Sequence, residues 1–240
     1  MTSEPDLLGE PDLRGGIIAA GEGSRLRDAG WSVPKPMVPV AGVPLIESTI
    51  RNFVAAGITR LSIIVNEQER DCAAWVRGRF PDLDLRLIVK TTASSLESFR
   101  EVAGGPGPGR MLVSTVDAWC RPADFVRFVQ AALSRPRGAT VLAVTPLVDD
   151  ETPLGVVVDA EGRITALGVE SPSLVTAGVY LVSERARRIE PPAGLGRLRE
   201  YLAWLQASGE AMYGDVIETV VDVDRAEDVA LAEALARASA

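Results

Sequence analysis

Two kinds of residue in this chain are spaced for chemistry on polyanions: a glycine-rich turn followed by cations, and carboxylates at the ends of apolar runs. The turn, Ala20-Gly21-Glu22-Gly23-Ser24-Arg25, is entered straight from the apolar run Gly16-Ile17-Ile18-Ala19-Ala20. Glycine lets a backbone approach an anion closely, and consecutive N–H groups can cradle phosphate oxygens. Arg25 and, further on, Lys35 in Pro34-Lys35-Pro36-Met37 could neutralise the charge held there. Among the carboxylates, Asp117 ends the apolar run Met111 to Val116, where an open α/β sheet collects its ligands. Asp222 and Asp224 alternate in Val220-Val221-Asp222-Val223-Asp224, so an extended backbone sends both to one face. A hard divalent ion such as Mg²⁺ takes one or two carboxylates plus phosphate oxygens and water, so Asp117 is a candidate ligand and either Asp222 or Asp224 could reach an ion.

Composition narrows the chemistry further. The chain has 240 residues and no histidine, which removes Ser-His-Asp and Cys-His mechanisms. Its net charge of −8 leaves no general basic field, so nucleic acid is not expected as a partner. Two cysteines, Cys72 and Cys120, are too few for a disulfide framework and fit a reducing cytoplasm. No run of about 18 apolar residues is present, and no membrane partner is expected. Met1 to Arg14 is acidic, without the apolar core of a signal peptide, and is expected to be a flexible tail.

The elements that must position these residues follow from the alternation of short aliphatic runs with amphipathic stretches, the pattern of a parallel sheet with crossover helices. Strands are expected at Gly16 to Ala20, Leu61 to Val65, Leu85 to Lys90, Met111 to Val116, Thr140 to Thr145 and Leu174 to Val182. Helices are expected at Leu45 to Ala56, Asn66 to Phe80, Ser95 to Ala103, Pro122 to Leu133, Ser183 to Arg188, Leu195 to Ser208 and Ala226 to Ala238, with a long loop between the first strand and the first helix. Gly155 to Val158 and Ile164 to Val169 read as a β-hairpin, and Val216 to Val223 as one extended run. The expected fold is a single Rossmann-like three-layer α/β/α domain, residues 15–240, with a mostly parallel sheet and an inserted hairpin subregion. Residues 15–145 are expected to form its nucleotide-binding half and 146–240 a second half that carries the hairpin. No apolar stripe marks an oligomer interface.

Two common phosphate loops do not match. A dinucleotide fingerprint needs a third glycine where Leu26 stands, and a Walker A loop needs a lysine that does not follow Gly21 or Gly23. The order Gly21-Glu22-Gly23-Ser24-Arg25-Leu26, then Pro34-Lys35-Pro36-Met37, then Val40-Ala41-Gly42-Val43-Pro44-Leu45-Ile46, instead strongly resembles the opening of nucleotidyltransferases of the nucleoside-diphosphate-sugar pyrophosphorylase-like superfamily. The resemblance implies that fold and a Mg²⁺-dependent reaction in which a phosphorylated sugar or polyol displaces pyrophosphate from a nucleoside triphosphate. It assigns Ala20 to Ser24 and Arg25 to the nucleotide, Arg25 mainly to the β- and γ-phosphates, and Lys35 to the α-phosphate and the incoming phosphate. Thr92 and Ser95 fall where family members contact the base and triphosphate, although such hydroxyls equally suit a helix N-cap. Asp117 resembles the first metal aspartate. The segment from Asp222 to Asp228 resembles the closing Asp-x-Asp-Thr-Pro-Glu-Asp, with Arg225-Ala226 in place of Thr-Pro, and Asp228 supporting the first turn of the last helix.

The acceptor side departs from the family. Glu170-Ser171-Pro172 stands where Glu-Lys-Pro is common, so Ser171 supplies no charge to an acceptor phosphate. Thr176-Ala177-Gly178-Val179-Tyr180 replaces Asn-x-Gly-x-Tyr, and Val116 replaces the glycine of a Gly-Asp pair. Glu170, Gly178 and Trp119 are the candidate acceptor contacts. These departures keep a non-catalytic nucleotide-binding regulator as a rival. A molybdenum-cofactor guanylyltransferase-like enzyme shares the fold and early loop, but its loop lysine usually comes sooner than Lys35.

Overall fold

In the computed structural model, residues 10, 13–105, 107–146 and 153–238 are described. The chain runs β1 (Arg14–Ala19), α1 (Ser24–Asp28), a 3₁₀ turn (Lys35–Met37), β2 (Pro39–Val40), β3 (Val43–Pro44), α2 (Leu45–Ala55) and β4 (Arg60–Val65). A 3₁₀ turn (Glu67–Glu69) leads into α3 (Arg70–Arg79), then β5 (Asp84–Val89), α4 (Ser95–Ala103), β6 (Met111–Thr115), β7 (Ala118–Cys120), α5 (Pro122–Ser134) and β8 (Thr140–Thr145). The second half carries β9 (Gly155–Val158), β10 (Ile164–Leu167), β11 (Leu174–Val182), α6 (Glu184–Arg188), α7 (Leu198–Ala207), β12 (Met212–Val216), β13 (Val220–Asp222) and α8 (Ala226–Arg237).

A nine-stranded sheet holds the described residues together. β5, β4, β1 and β6 are parallel neighbours. β11 runs against β6, β8 and β9, while β12 lies parallel to β8. Only β11 and the hairpin strand β10 therefore oppose the common direction. Alternation along β1 explains the layering: Ile17 and Ala19 enter the core under α2, α3, α5 and α8, whereas Ile18 and Ala20 enter the core under α4, α6 and α7. The fold is thus the three-layer α/β/α arrangement expected, with the hairpin β9–β10 added at one end. None of the described helices is long and apolar enough to cross a membrane.

Several elements differ from expectation for local reasons. The long loop after β1 contains the short helix α1, which begins as soon as Gly23 has turned the chain. The expected run Val216 to Val223 is two strands, and β12 begins earlier, at Met212, although Gly214 and Asp215 look like turn residues. Gly214 is there for space, since a Cβ would lie 2.9 Å from Val158 Cγ1. β7 also went unmarked in the sequence, because three residues beside an aspartate give no period. Of the expected tail, residues 1–9, 11 and 12 lie outside the described residues, as do residues 147–152 just after the expected boundary between the halves. Leu13 is buried, Arg14 already belongs to β1, and Glu10 pairs with the buried Arg110 guanidinium at 2.5 Å.

Glu69, at the entry to α3, carries a carboxyl that burial pushes up to about 7 although Arg27 acts against the shift. Its Oε2 has no hydrogen-bond partner. A raised folded-state value means that stability is highest when the group is neutral below its ordinary 4.5, and is lost as pH rises through about 7. Glu69→Gln is therefore expected to be more stable than wild type at pH 8 by about 1–2 kcal/mol, with the gap closing by about pH 5, as measured by urea unfolding.

Candidate active site

The two distant carboxylate segments meet because β13 pairs antiparallel with β7. Asp222 sits opposite Ala118, and the Val223 N–H donates to the Asp117 carbonyl at 3.0 Å. One turn further, buried Asp228 accepts from the backbone N–H groups of Asp224 (2.9 Å) and Arg225 (2.6 Å), which fixes the chain after the ribbon and caps α8. The result is a trio, Asp117, Asp222 and Asp224, each with an oxygen within 4.8 Å of the others. Three carboxylate oxygens are a donor set suited to a hard divalent cation.

Lys35 lies against this trio. Its Nζ donates to Asp117 Oδ2 at 2.6 Å and also to Asp224 Oδ1, while Arg25 Nη1 meets Asp224 Oδ2 at 2.7 Å. Only 7% of the Lys35 side chain is exposed. Burial by itself would lower the ammonium, but Asp117 and Asp224 outweigh it and hold Lys35 above the ordinary lysine range. Burial likewise pushes the Asp117 carboxyl up, yet Lys35 and hydrogen bonds from Thr115 and its own backbone hold it below the usual range.

The glycine turn makes this approach possible. Gly23 is left-handed, with φ 58°, and a Cβ there would stand 2.7 Å from Lys35 Cβ. Gly21, by contrast, has open space around it, which leaves its backbone accessible. Ala20 closes the strand side of the turn and is buried, whereas Glu22 and Ser24 are exposed and the Glu22 carbonyl accepts from Arg27.

Above these groups opens a cleft of about 390 Å³ that takes in Arg25, Ser95, Gly178 and all three aspartates. Gly178 is required in its wall, since at φ 72° a Cβ would meet Thr115 Oγ1 at 2.7 Å. Ser95 is tied down at its rim, accepting from the Leu198 N–H at 3.0 Å, and Ser94, not Ser95, caps α4. The other candidates, Lys35 and the turn from Ala20 to Ser24 included, are outside the lining of this cleft. Thr92 bonds the Ser98 hydroxyl at 2.6 Å, Trp119 packs into the core from β7, and Glu170 is exposed next to Ser171, whose φ of 50° marks a left-handed bend. Three further polar lining residues, Thr115, Thr145 and Arg199, went unmarked in the sequence, whereas Tyr180 closes the Thr176–Tyr180 segment already noted. Thr115 and Thr145 could have been found as polar ends of buried strands, but Arg199 comes from the first turn of α7, which only folding brings to the sheet. Burial pushes the Tyr180 hydroxyl up to about 12, against a hydrogen bond with Thr176.

A three-layer α/β domain with a glycine turn, two cations and convergent carboxylates is suited to binding phosphate groups and a hard divalent cation. The family model described as nucleotidyl transferase matches residues 15–187, and the chain belongs to that family. It is 29% identical over 94% of its length to the bifunctional IPC transferase and DIPP synthase of Rubrobacter xylanophilus, covering 52% of that protein. It is 31% identical over 75% of its length to a glucose-1-phosphate thymidylyltransferase of an Actinoplanes species, covering 63% of it. The chain thus spans about half to just under two thirds of these curated relatives. Among solved structures, the inositol-1-phosphate CTP transferase of T. maritima superposes with a TM-score of 0.80 at 19% identity, covering 94% of this chain and 96% of that one, which shows a common fold.

Gly23→Ala is expected to cost about 1–2 kcal/mol of stability from the left-handed backbone alone, read as a lower urea midpoint. Gly21→Ala, in open space, is expected to leave that midpoint nearly unchanged.

Proposed function

We propose that the protein transfers a nucleotidyl group from a nucleoside triphosphate to a phosphorylated sugar or polyol, with release of pyrophosphate. The observation that carries this is that Asp117, Asp222 and Asp224 line one cleft together with Arg25, while the buried Lys35 ammonium pairs with two of the three. The names of the relatives, which include a thymidylyltransferase acting on a sugar phosphate and a transferase acting on inositol phosphate, support the substrate class.

In this reaction an oxygen of the acceptor phosphate attacks the α-phosphorus, the bond from that phosphorus to the bridging oxygen breaks, and pyrophosphate leaves with the electron pair. The obstacle is repulsion between two polyanions. Arg25, at the rim and 47% exposed, is placed to hold the departing β- and γ-phosphates. Lys35 would take the α-phosphate, and the backbone N–H groups from Ala20 to Ser24 would cradle the phosphate chain. No general base is needed because the attacking phosphate is already anionic. Asp117, Asp222 and Asp224 would hold Mg²⁺, which when bound adds positive charge to the phosphate oxygens and lowers the cost of the charge that builds there. On the acceptor side, Ser171 offers no cation and is exposed, so the acceptor phosphate relies on charges inside the cleft. Cys72 and Cys120 are buried free thiols, which supports a cytoplasmic setting.

The test is pyrophosphate release by the purified protein with each common ribonucleoside triphosphate and dTTP, against a panel of sugar and polyol phosphates, with and without Mg²⁺. Release is expected for one triphosphate and acceptor pair and only with metal. Asp117→Asn is expected to lower the rate by about a hundredfold or more with an unchanged far-UV circular dichroism spectrum. Binding of triphosphate with no release from any acceptor would overturn the assignment in favour of a non-catalytic nucleotide-binding protein.

A further inference from the structure

The Lys35 ammonium stands where a cation belongs. It takes one oxygen each from Asp117 and Asp224, two of the three carboxylates able to hold an ion, and Arg25 takes the second oxygen of Asp224. Its stem is buried under the glycine turn, where Gly23 leaves no room for even a methyl group beside Lys35 Cβ. An ion arriving alone must remove this ammonium from both carboxylates, and a buried charge left without a partner is costly. A polyphosphate changes that balance, because it offers the ammonium another set of anionic oxygens beside the carboxylates that line the cleft.

We infer that Lys35 is a built-in competitor for the divalent cation: it closes the carboxylates to free metal until a polyphosphate draws the ammonium away. Lys35 thus serves two anions in turn, the carboxylates of the resting protein and the phosphate chain of the loaded one. The site selects a metal–polyphosphate complex over the free ion, and each ligand favours the other by the same factor. When the competent state is a minor fraction of the protein, apparent affinity falls by that fraction, so a lysine engaged nine-tenths of the time weakens free-ion binding about tenfold. The identity of the polyphosphate as a nucleoside triphosphate rests on the proposed function, whereas the competition for the carboxylates does not.

The test measures Mn²⁺ binding to the full chain by electron paramagnetic resonance of the free ion, without nucleotide. Lys35→Met removes the charge at similar length, and Lys35→Gln keeps a hydrogen-bond donor should the methionine variant fold poorly. Both are expected to bind Mn²⁺ at least about tenfold more tightly than wild type. Arg199→Met removes an equal charge from the wall of the same cleft while leaving the Lys35 pairs to Asp117 and Asp224 in place, and is expected to gain much less. A gain below about tenfold in the lysine variants, or an equal gain in Arg199→Met, would overturn the inference.

Calorimetry with preformed Mn²⁺–tripolyphosphate supplies the second arm. Wild type is expected to prefer this complex to Mn²⁺ alone by about tenfold or more, with the preference shrinking toward one in Lys35→Gln; equal preferences in both proteins would also overturn the inference. Pyrophosphate release is scored separately. Gains in Mn²⁺ affinity without release would remove the enzymatic assignment and leave the competition standing, and release without those gains would do the reverse.

Discussion

Everything at the functional end of this molecule depends on pairing one buried ammonium. Lys35 is almost wholly enclosed, and a charge in that position survives folding only if anions meet it at hydrogen-bond distance. Asp117 and Asp224 do so, and the three groups hold together parts of the chain that are far apart in sequence. Removing a single partner of such a pair typically costs about 3–5 kcal/mol, because the other charge stays buried. The arrangement is a demanding one, and the surrounding backbone is shaped to keep it.

That shaping comes from two local devices. The first is the left-handed Gly23, which turns the chain from β1 into α1 and leaves the space that the Lys35 stem occupies. The second is the small β7–β13 ribbon, which sets Asp222 against Ala118 and ties Val223 to the Asp117 carbonyl. Asp228 then pins the amides of Asp224 and Arg225, so one carboxylate both caps α8 and holds the backbone that carries another. Arg25, Lys35 and Asp222 stand on α1, the 3₁₀ turn and β13, while Asp117 and Asp224 sit on short connections that hydrogen bonds hold in place.

Behind these devices lies an ordinary layered core. Phe53 packs on Phe125 at 5.2 Å on one side of the sheet, and Phe99 on Tyr201 at 5.8 Å on the other. The second pair joins α4 to α7, and with the Ser95 to Leu198 hydrogen bond it brings the first turn of α7, and therefore Arg199, to the cleft. Family membership covers residues 15–187, so this wall of the cleft lies beyond the matched region. That wall carries the Arg199 cation, while Ser171, inside the matched region, is exposed.

The sequence by itself determined the layered α/β class, the strands β8 and β11 and the helix α4 to the residue, the glycine turn, and the charged residues Arg25, Lys35, Asp117, Asp222 and Asp224. The elements were legible from apolar period and glycine freedom, and Asp117 from its place at the end of a buried strand, whereas Arg25, Lys35, Asp222 and Asp224 were marked by the order of motifs that resembles the nucleotidyltransferases. The short helix α1, the strand β7 and the early start of β12 were hidden, since short elements have no period and Gly214 looks like a turn until Val158 and Val144 are packed against it. Trp119, Thr92 and Glu170 shared neighbourhoods with the site in sequence, yet the direction of each side chain follows from strand pairing and packing, and none lines the cleft. Which charges touch was decided by tertiary structure alone, because the distance between Lys35 and two aspartates far along the chain is set by sheet order and by a three-residue ribbon that no local pattern encodes.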